Sequence, residues 1–205
     1  MNLVFLKSKK IFICISIVLI FSVFFAIFYY KNKINGNNIN IESKEDIIAY
    51  VKNINQYKAN IQVTVYSNKN ENNYEIYQEV TKEKSIQIVN KPKNIEKLTI
   101  EQAGNTVTIK NTKLNLEKIY KNYIEYFSNL LFLDSFSKEL EVEKTDIDIK
   151  ENSIILKLEH KQDSTYRKYS ELELDKKTMK PIKLEVKDKN QKTIICILYT
   201  DIEIN

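Results

Sequence analysis

Apolar and polar positions keep three different rhythms along this chain. Residues 11–30, IFICISIVLIFSVFFAIFYY, form one apolar run without a charge. A helix of that length spans the ~30 Å hydrocarbon core of a bilayer. After a polar stretch, KNKINGNNIN, comes SKEDIIAYVKNIN, with Ile47, Val51 and Ile54 at i, i+4, i+7. That spacing predicts an amphipathic helix of about three turns. Ser43 is placed to cap it, with Glu45 and Asp46 in the first turn, where carboxylates favour the helix dipole.

From Tyr57 the period becomes two. In NIQVTVYS, Ile61, Val63 and Val65 point one way. In NYEIYQEV, Tyr74, Ile76 and Val80 do the same across the turn cluster SNKNENN. SIQIVN, IEKLTIEQ and NTVTIKN continue the series, the last two joined by Ala103-Gly104-Asn105, a turn that can take positive φ. The rhythm then breaks. Tyr120, Tyr123, Ile124, Phe127 and Leu131 fit one helical stripe, and Leu133, Phe136 and Leu140 a second. Strand period returns in TDIDIKEN, SIILKLEH, YRKYSELELDK, PIKLEVKD and TIICILYTDIEI. In the last of these Ile194, Cys196, Leu198, Ile202 and Ile204 are expected to share a face. Short connections make the sheet antiparallel, with sequence neighbours side by side.

A large sheet with one apolar face must cover it. The expected fold is therefore α+β: a large curved antiparallel sheet, or half-barrel, with helices over the concave face and one transmembrane helix ahead of it. The insert is the plug, built on Tyr123, Ile124, Phe127, Leu131, Leu133 and Phe136.

Flanking charge orients the apolar run. Lys7, Lys9 and Lys10 precede it, Lys31 and Lys33 follow, and Tyr29 and Tyr30 sit at an aromatic-belt position. The run is longer than the ~7–15 apolar residues of a cleaved signal, and Phe24 spoils the small-residue site before Ala26. The reading is an uncleaved signal anchor through Ile11, Leu19, Phe25 and Tyr30. Residues 1–10 are cytoplasmic, 11–30 span the cell membrane, 31–42 link, and 43–205 form an extracytoplasmic domain. Cys14 follows Ile13, too early in the run for lipidation, and it cannot pair with Cys196, an inert strand thiol.

Composition mostly excludes. The 205 residues carry 32 Lys+Arg against 27 Asp+Glu, interleaved, for a net charge of +5. A nucleic-acid binder clusters its positive charge, so no nucleic-acid partner is expected. Two glycines cannot build a phosphate loop. The one histidine, His160, ends ILKLEH on the Ile154, Leu156, Leu158 face and reads as a core-rim residue without triad or metal partners. Glu139, Glu141 and Glu143 read as a solvated surface mixed with lysine. No catalytic, metal or cofactor residue is assigned, and the chain is read as a non-enzyme. Tyr66, Tyr77, Tyr166 and Tyr169 fall on the polar faces of strands. Packing explains tyrosines there; so does a partner-binding face.

The order helix, meander, helical insert, meander resembles the lipoprotein-carrier superfamily typified by LolA. The stretch from Leu172 onward resembles that superfamily's last hairpins, in Asp175, Thr178 and Pro181 and in Tyr199, Ile202, Ile204 and Asn205. VTVYSNKNENNYEIYQEV, KPKNIEKLTIEQAGNTVTIKN and NLLFLDSF resemble the GerS-like germination lipoproteins of clostridia. That resemblance implies a membrane-anchored, non-enzymatic protein of the spore envelope. It would bind and switch on a zinc-dependent N-acetylmuramoyl-L-alanine amidase that modifies cortex peptidoglycan. The carrier side of the superfamily implies instead a lipid or hydrophobic ligand in the half-barrel. Those germination proteins are anchored by a lipidated cysteine; here the membrane helix takes that part.

Overall fold

Period-two burial dominates the structure. In the computed structural model β1 (Tyr57–Tyr66) buries Tyr57, Ala59, Ile61 and Val63 while Lys58, Asn60 and Gln62 stay exposed. The structure describes residues 43–67, 69–121, 133–140, 144–161 and 167–205, all within the unit Ile41–Asn205. The expected anchor at 11–30 lies outside them, and no helix among the described residues is long and apolar enough to cross a membrane.

Ten more strands follow: β2 (Glu71–Val80), β3 (Lys84–Lys91), β4 (Leu98–Ala103), β5 (Thr106–Asn111), β6 (Leu116–Lys121), β7 (Lys144–Ile149), β8 (Ser153–Glu159), β9 (Tyr169–Asp175), β10 (Pro181–Lys187) and β11 (Thr193–Ile204). They form one open antiparallel sheet in the order β6-β5-β4-β3-β2-β1-β11-β10-β9-β8-β7. Two meanders thus meet in the middle, where β1 pairs with β11. Gly104 takes φ +53° between β4 and β5, where a side chain would be strained although space is open.

Two expectations about the strands are corrected. The sequence pattern assigns no strand to LEKIYK and puts Tyr120 on the helical stripe; both belong to β6, which pairs with β5 through Val107 opposite Tyr120. Glu117, Lys118 and Lys121 mask the alternation there. The expected face of β11 is also wrong in its first half. The β1–β11 register slips between Asn60 and Ile61, leaving Thr200 as an extra residue whose Oγ1 donates to the Asn60 carbonyl at 2.9 Å. Such a bulge turns the strand by one position. Ile195, Ile197 and Tyr199 therefore share the inner face with Ile202 and Ile204, opposite Val65, Val63, Ile61, Ala59 and Tyr57. Ile194, Cys196 and Leu198 face outward with Thr64 and Gln62.

Two helices join the inner face. In α1 (Lys44–Lys52) the Ser43 hydroxyl accepts from the Asp46 backbone N–H at 3.1 Å, and the Asp46 carboxylate accepts from the Ser43 N–H at 3.1 Å. This reciprocal cap satisfies two donors the first turn would orphan. Its buried stripe is Ile47 and Val51. In α2 (Leu133–Glu139) Leu133 and Phe136 are buried, as is Leu140 just beyond it. These side chains and Ile54 share one apolar cluster with inner-face residues of β1–β3 and β7–β11. Of β4–β6 only Leu98 packs against that cluster. The rest of the expected plug, Tyr123, Ile124, Phe127 and Leu131, lies outside the described residues.

Candidate functional site

One buried hydrogen bond seats α2 on the sheet and a second ties it to α1. Tyr57, with no exposed surface, accepts the Leu133 backbone N–H on its hydroxyl at 2.8 Å. Ser137 donates to the Val51 carbonyl at 2.8 Å, so α2 also caps α1. The first satisfies an N–H of α2's first turn that would otherwise be stranded away from water. The Val51 carbonyl also accepts the Ile54 N–H at 3.1 Å, so the second is a further tie between the helices.

Beside this seat lies a polar cluster that sequence reasoning missed. His160 is 5% exposed. Its Nε2 is 2.8 Å from the Ser170 hydroxyl on β9, and its Nδ1 is 3.7 Å from Glu139 Oε2 on α2. Arg167 donates to the other Glu139 oxygen. His160, read as a core-rim residue without triad or metal partners, is buried and bonded to Ser170. The placing of Glu139 on a solvated surface is corrected, since it is half-buried and paired with Arg167. Glu141 and Glu143 lie outside the described residues. Burial, then the cations Arg167 and Lys168, push the imidazole down to about 4, so it is neutral in the fold. Glu139 does not reverse this, because its charge is taken up by Arg167. Ser170 is 2% exposed. A serine, histidine and carboxylate in this order resemble a hydrolytic triad. Here the hydroxyl is sealed from substrate, and the cluster clasps α2 to β8 and β9.

The outer face is a lattice of lysine–glutamate pairs: Lys58–Glu79 at 3.3 Å, Lys110–Glu117 at 3.1 Å, Lys183–Glu173 at 3.5 Å and Lys187–Glu171 at 2.6 Å. Each exposed pair contributes little, ~0–1 kcal/mol. They do interleave lysines of this face with carboxylates. Cys196 lies between them, half-buried, its thiol pushed up by burial and by Glu185. It is a poor nucleophile.

The tyrosines assigned to a binding face lie on this outer side. Tyr66 is 38% exposed at the end of β1, opposite Glu71. Tyr77 is half-buried on β2 opposite Asn60, its hydroxyl donating to Glu79 at 3.1 Å. Tyr169 is half-buried at the start of β9. They occupy separate places on the sheet and are not neighbours in register. Tyr166 lies outside the described residues.

A cleft of about 340 Å³ opens where α1 ends, lined by Lys52, Ile54, Lys82, Ser137 and Lys138 among others. Three ammonium groups suit an acyl chain poorly. Among the described residues no group of three or more histidine, cysteine or acidic side chains could hold a metal ion.

The quoted hairpin motif is a turn device. Asp175 accepts from both the N–H and the hydroxyl of Thr178 at 2.7 Å, and Met179 takes φ +59° before Pro181. The Asx turn and the left-handed residue reverse the chain between β9 and β10. Asn205 closes the tail with its N–H on the Gln56 carbonyl at 3.1 Å.

These elements define a class: an open, antiparallel, mostly sequential sheet seating short helices on one face. No family model and no curated protein matches the chain. Solved structures do. The GerS lipoprotein, seen in complex with the CwlD amidase from Clostridioides difficile, is similar with 23% identity and TM-score 0.53, over 81% of this chain and 98% of that one. An uncharacterized conserved protein from Thermus thermophilus aligns with 11% identity and TM-score 0.52, over 80% and 88%. A LolA superfamily protein, NE2245 from Nitrosomonas europaea, aligns with 10% identity and TM-score 0.45, over 80% and 94%. The chain is GerS-like in fold, as the sequence resemblance implied.

Proposed function

We propose that this chain is a non-enzymatic, membrane-anchored envelope protein that docks onto and activates a peptidoglycan amidase during spore germination. The observation that carries it is the match to GerS over 98% of that chain, in a structure where GerS is bound to an amidase. Residues 11–30 are the anchor and 43–205 the extracytoplasmic docking domain. Tyr66, Tyr77, Tyr166 and Tyr169 are assigned to the partner face. The full chain, solubilised in detergent from sporulating cells, is expected to co-purify with an amidase and to raise its activity on cortex peptidoglycan. Recovery without any amidase in repeated preparations overturns the reading. Removing Tyr66, Tyr77 and Tyr169 together is expected to lower recovery at least ~10-fold with the fold intact.

In this reading the helices cover the concave face of a half-barrel, and Tyr123, Ile124, Phe127 and Leu131 extend the plug that begins at Leu133 and Phe136. Phe127→Asp then lowers thermal stability by several kcal/mol, since a buried lone charge is costly. An unchanged melting curve removes the plug. A second reading, a carrier of lipid or another hydrophobic ligand, draws on Ile100, Ile109 and Tyr120, which are half-buried on the inner side of β4–β6 and outside the core cluster. Native mass spectrometry distinguishes the two: a co-purified lipid supports the carrier, a bare chain the docking protein.

A further inference from the structure

Three of the large exposed apolar side chains lie within six residues of each other at one border of the sheet: Leu114 at 60%, Leu116 at 61% and Ile119 at 55%. The strand that carries the last two, β6, is an edge of the sheet. An exposed edge presents unpaired backbone donors and acceptors and is a template for another strand. Proteins usually blunt such edges with charge, and β6 has Glu117, Lys118 and Lys121. The order of those charges is what matters. Glu117, Ile119 and Lys121 point outward with Lys110 and Thr108 of β5, and Lys118 and Tyr120 point to the inner side.

We infer that β6 pairs antiparallel with β6 of a second copy of this chain about a two-fold axis at Ile119, making one continuous sheet from two. In that register Glu117 stands opposite Lys121 of the second copy, Lys118 opposite Tyr120, and Ile119 opposite itself. Cross-strand partners share a face, so every contact is of a favourable kind: two carboxylate–ammonium pairs, two ammonium–aromatic pairs and one apolar pair. The geometry inside the chain already uses both motifs. Lys118 lies 4.9 Å from the Tyr120 ring centre, and Glu117 pairs with Lys110 at 3.1 Å across β5. Lys121 has no carboxylate partner among the described residues. The two-fold register supplies one and extends the Lys110–Glu117 ladder by a rung.

The register is selective. Moving the axis to Lys118 sets two ammonium groups face to face. Moving it to Tyr120 leaves Lys121 opposite Ile119. The other edge of the sheet, β7, is built against such pairing: an axis at Ile147 would oppose Asp146 to Asp148 on both sides. A six-residue strand buries less than the ~1,200 Å² of stable complexes, so the dimer is reversible and concentration-dependent.

Disulfide trapping tests the register. In the full chain in detergent, with Cys14→Ser and Cys196→Ser, oxidised Ile119→Cys is expected to form a dimer, because paired strands bring the two Cα atoms to ~4.5–5.5 Å. Leu116→Cys is expected to stay monomeric, since its two copies lie ~20 Å apart along the strands. Lys121→Glu should slow trapping at Ile119→Cys by about tenfold, and adding Glu117→Lys should restore it. Lys121 is an exposed edge residue, so an unchanged melting curve accompanies that loss. Equal trapping at positions 116 and 119, or trapping indifferent to Lys121→Glu, overturns the proposal. So does capture of a different protein in place of a second copy.

Discussion

Tyr57 joins the sheet to α2 at a single atom. Its ring fills the inner face and its hydroxyl holds the Leu133 N–H at 2.8 Å. Tyr57→Phe keeps the packing and strands that N–H, so a loss of about 1–3 kcal/mol is expected in urea unfolding. His160 makes a pH-dependent contribution. Its folded value of about 4 lies below the usual 6.5, so the unfolded chain takes up the proton first as pH falls. The contribution is complete above about pH 6.5 and is lost progressively down to about pH 4, by up to roughly 3 kcal/mol. His160→Gln should flatten the stability–pH profile across that window. Local devices were legible in the sequence: the Ser43–Asp46 cap and the Asp175–Thr178 turn each close within three residues. The clasp was not. His160 meets Ser170 ten residues on, and Arg167 meets Glu139 28 residues back, distances that only the folded sheet bridges.

At the scale of elements, alternation identified ten of the eleven strands, because a half-buried strand writes its faces directly into the chain. β6 escaped because an edge strand with only Tyr120 half-buried has almost no inner side to write. β11 was found but misphased, since its apolar residues sit on both faces and the bulge at Thr200 shows only in the pairing. The helical reading of the insert fails at Tyr120, which lies in β6, and holds over Leu133–Glu139. Leu133, Phe136 and Leu140 are buried at the spacing the pattern implies. Phe136→Ala is expected to cost ~3–5 kcal/mol, read as a lower urea midpoint with an unchanged slope. Ser43→Ala, which removes only the α1 cap, should cost about 1 kcal/mol in the same measurement.

For the whole molecule, fold and partner differ in how the sequence reveals them. The sheet order follows from short connections and required no knowledge of any relative. The proposed docking role rests instead on a protein similar in structure, because surface complementarity leaves no periodic trace in one chain. The tyrosines illustrate this: Tyr66, Tyr77 and Tyr169 are on the outer face as read, yet their separation along it is compatible with several footprints.

The meeting of β1 and β11 at the centre of the sheet has a consequence for how the domain comes into being. Asn60 and Thr200, bonded across that seam, are 140 residues apart in sequence. Such distant partners make folding slow, since the loop between them must close before the contact forms. Synthesis from the N-terminus delivers β11 after every other strand of this sheet. Until its 12 residues emerge, β1 and β10 each wait with a bare border. Two half-sheets in that state can pair with each other or with another chain before β11 takes its place between them. A chain cut before Thr193 should therefore stay aggregation-prone and protease-sensitive, however intact its other strands.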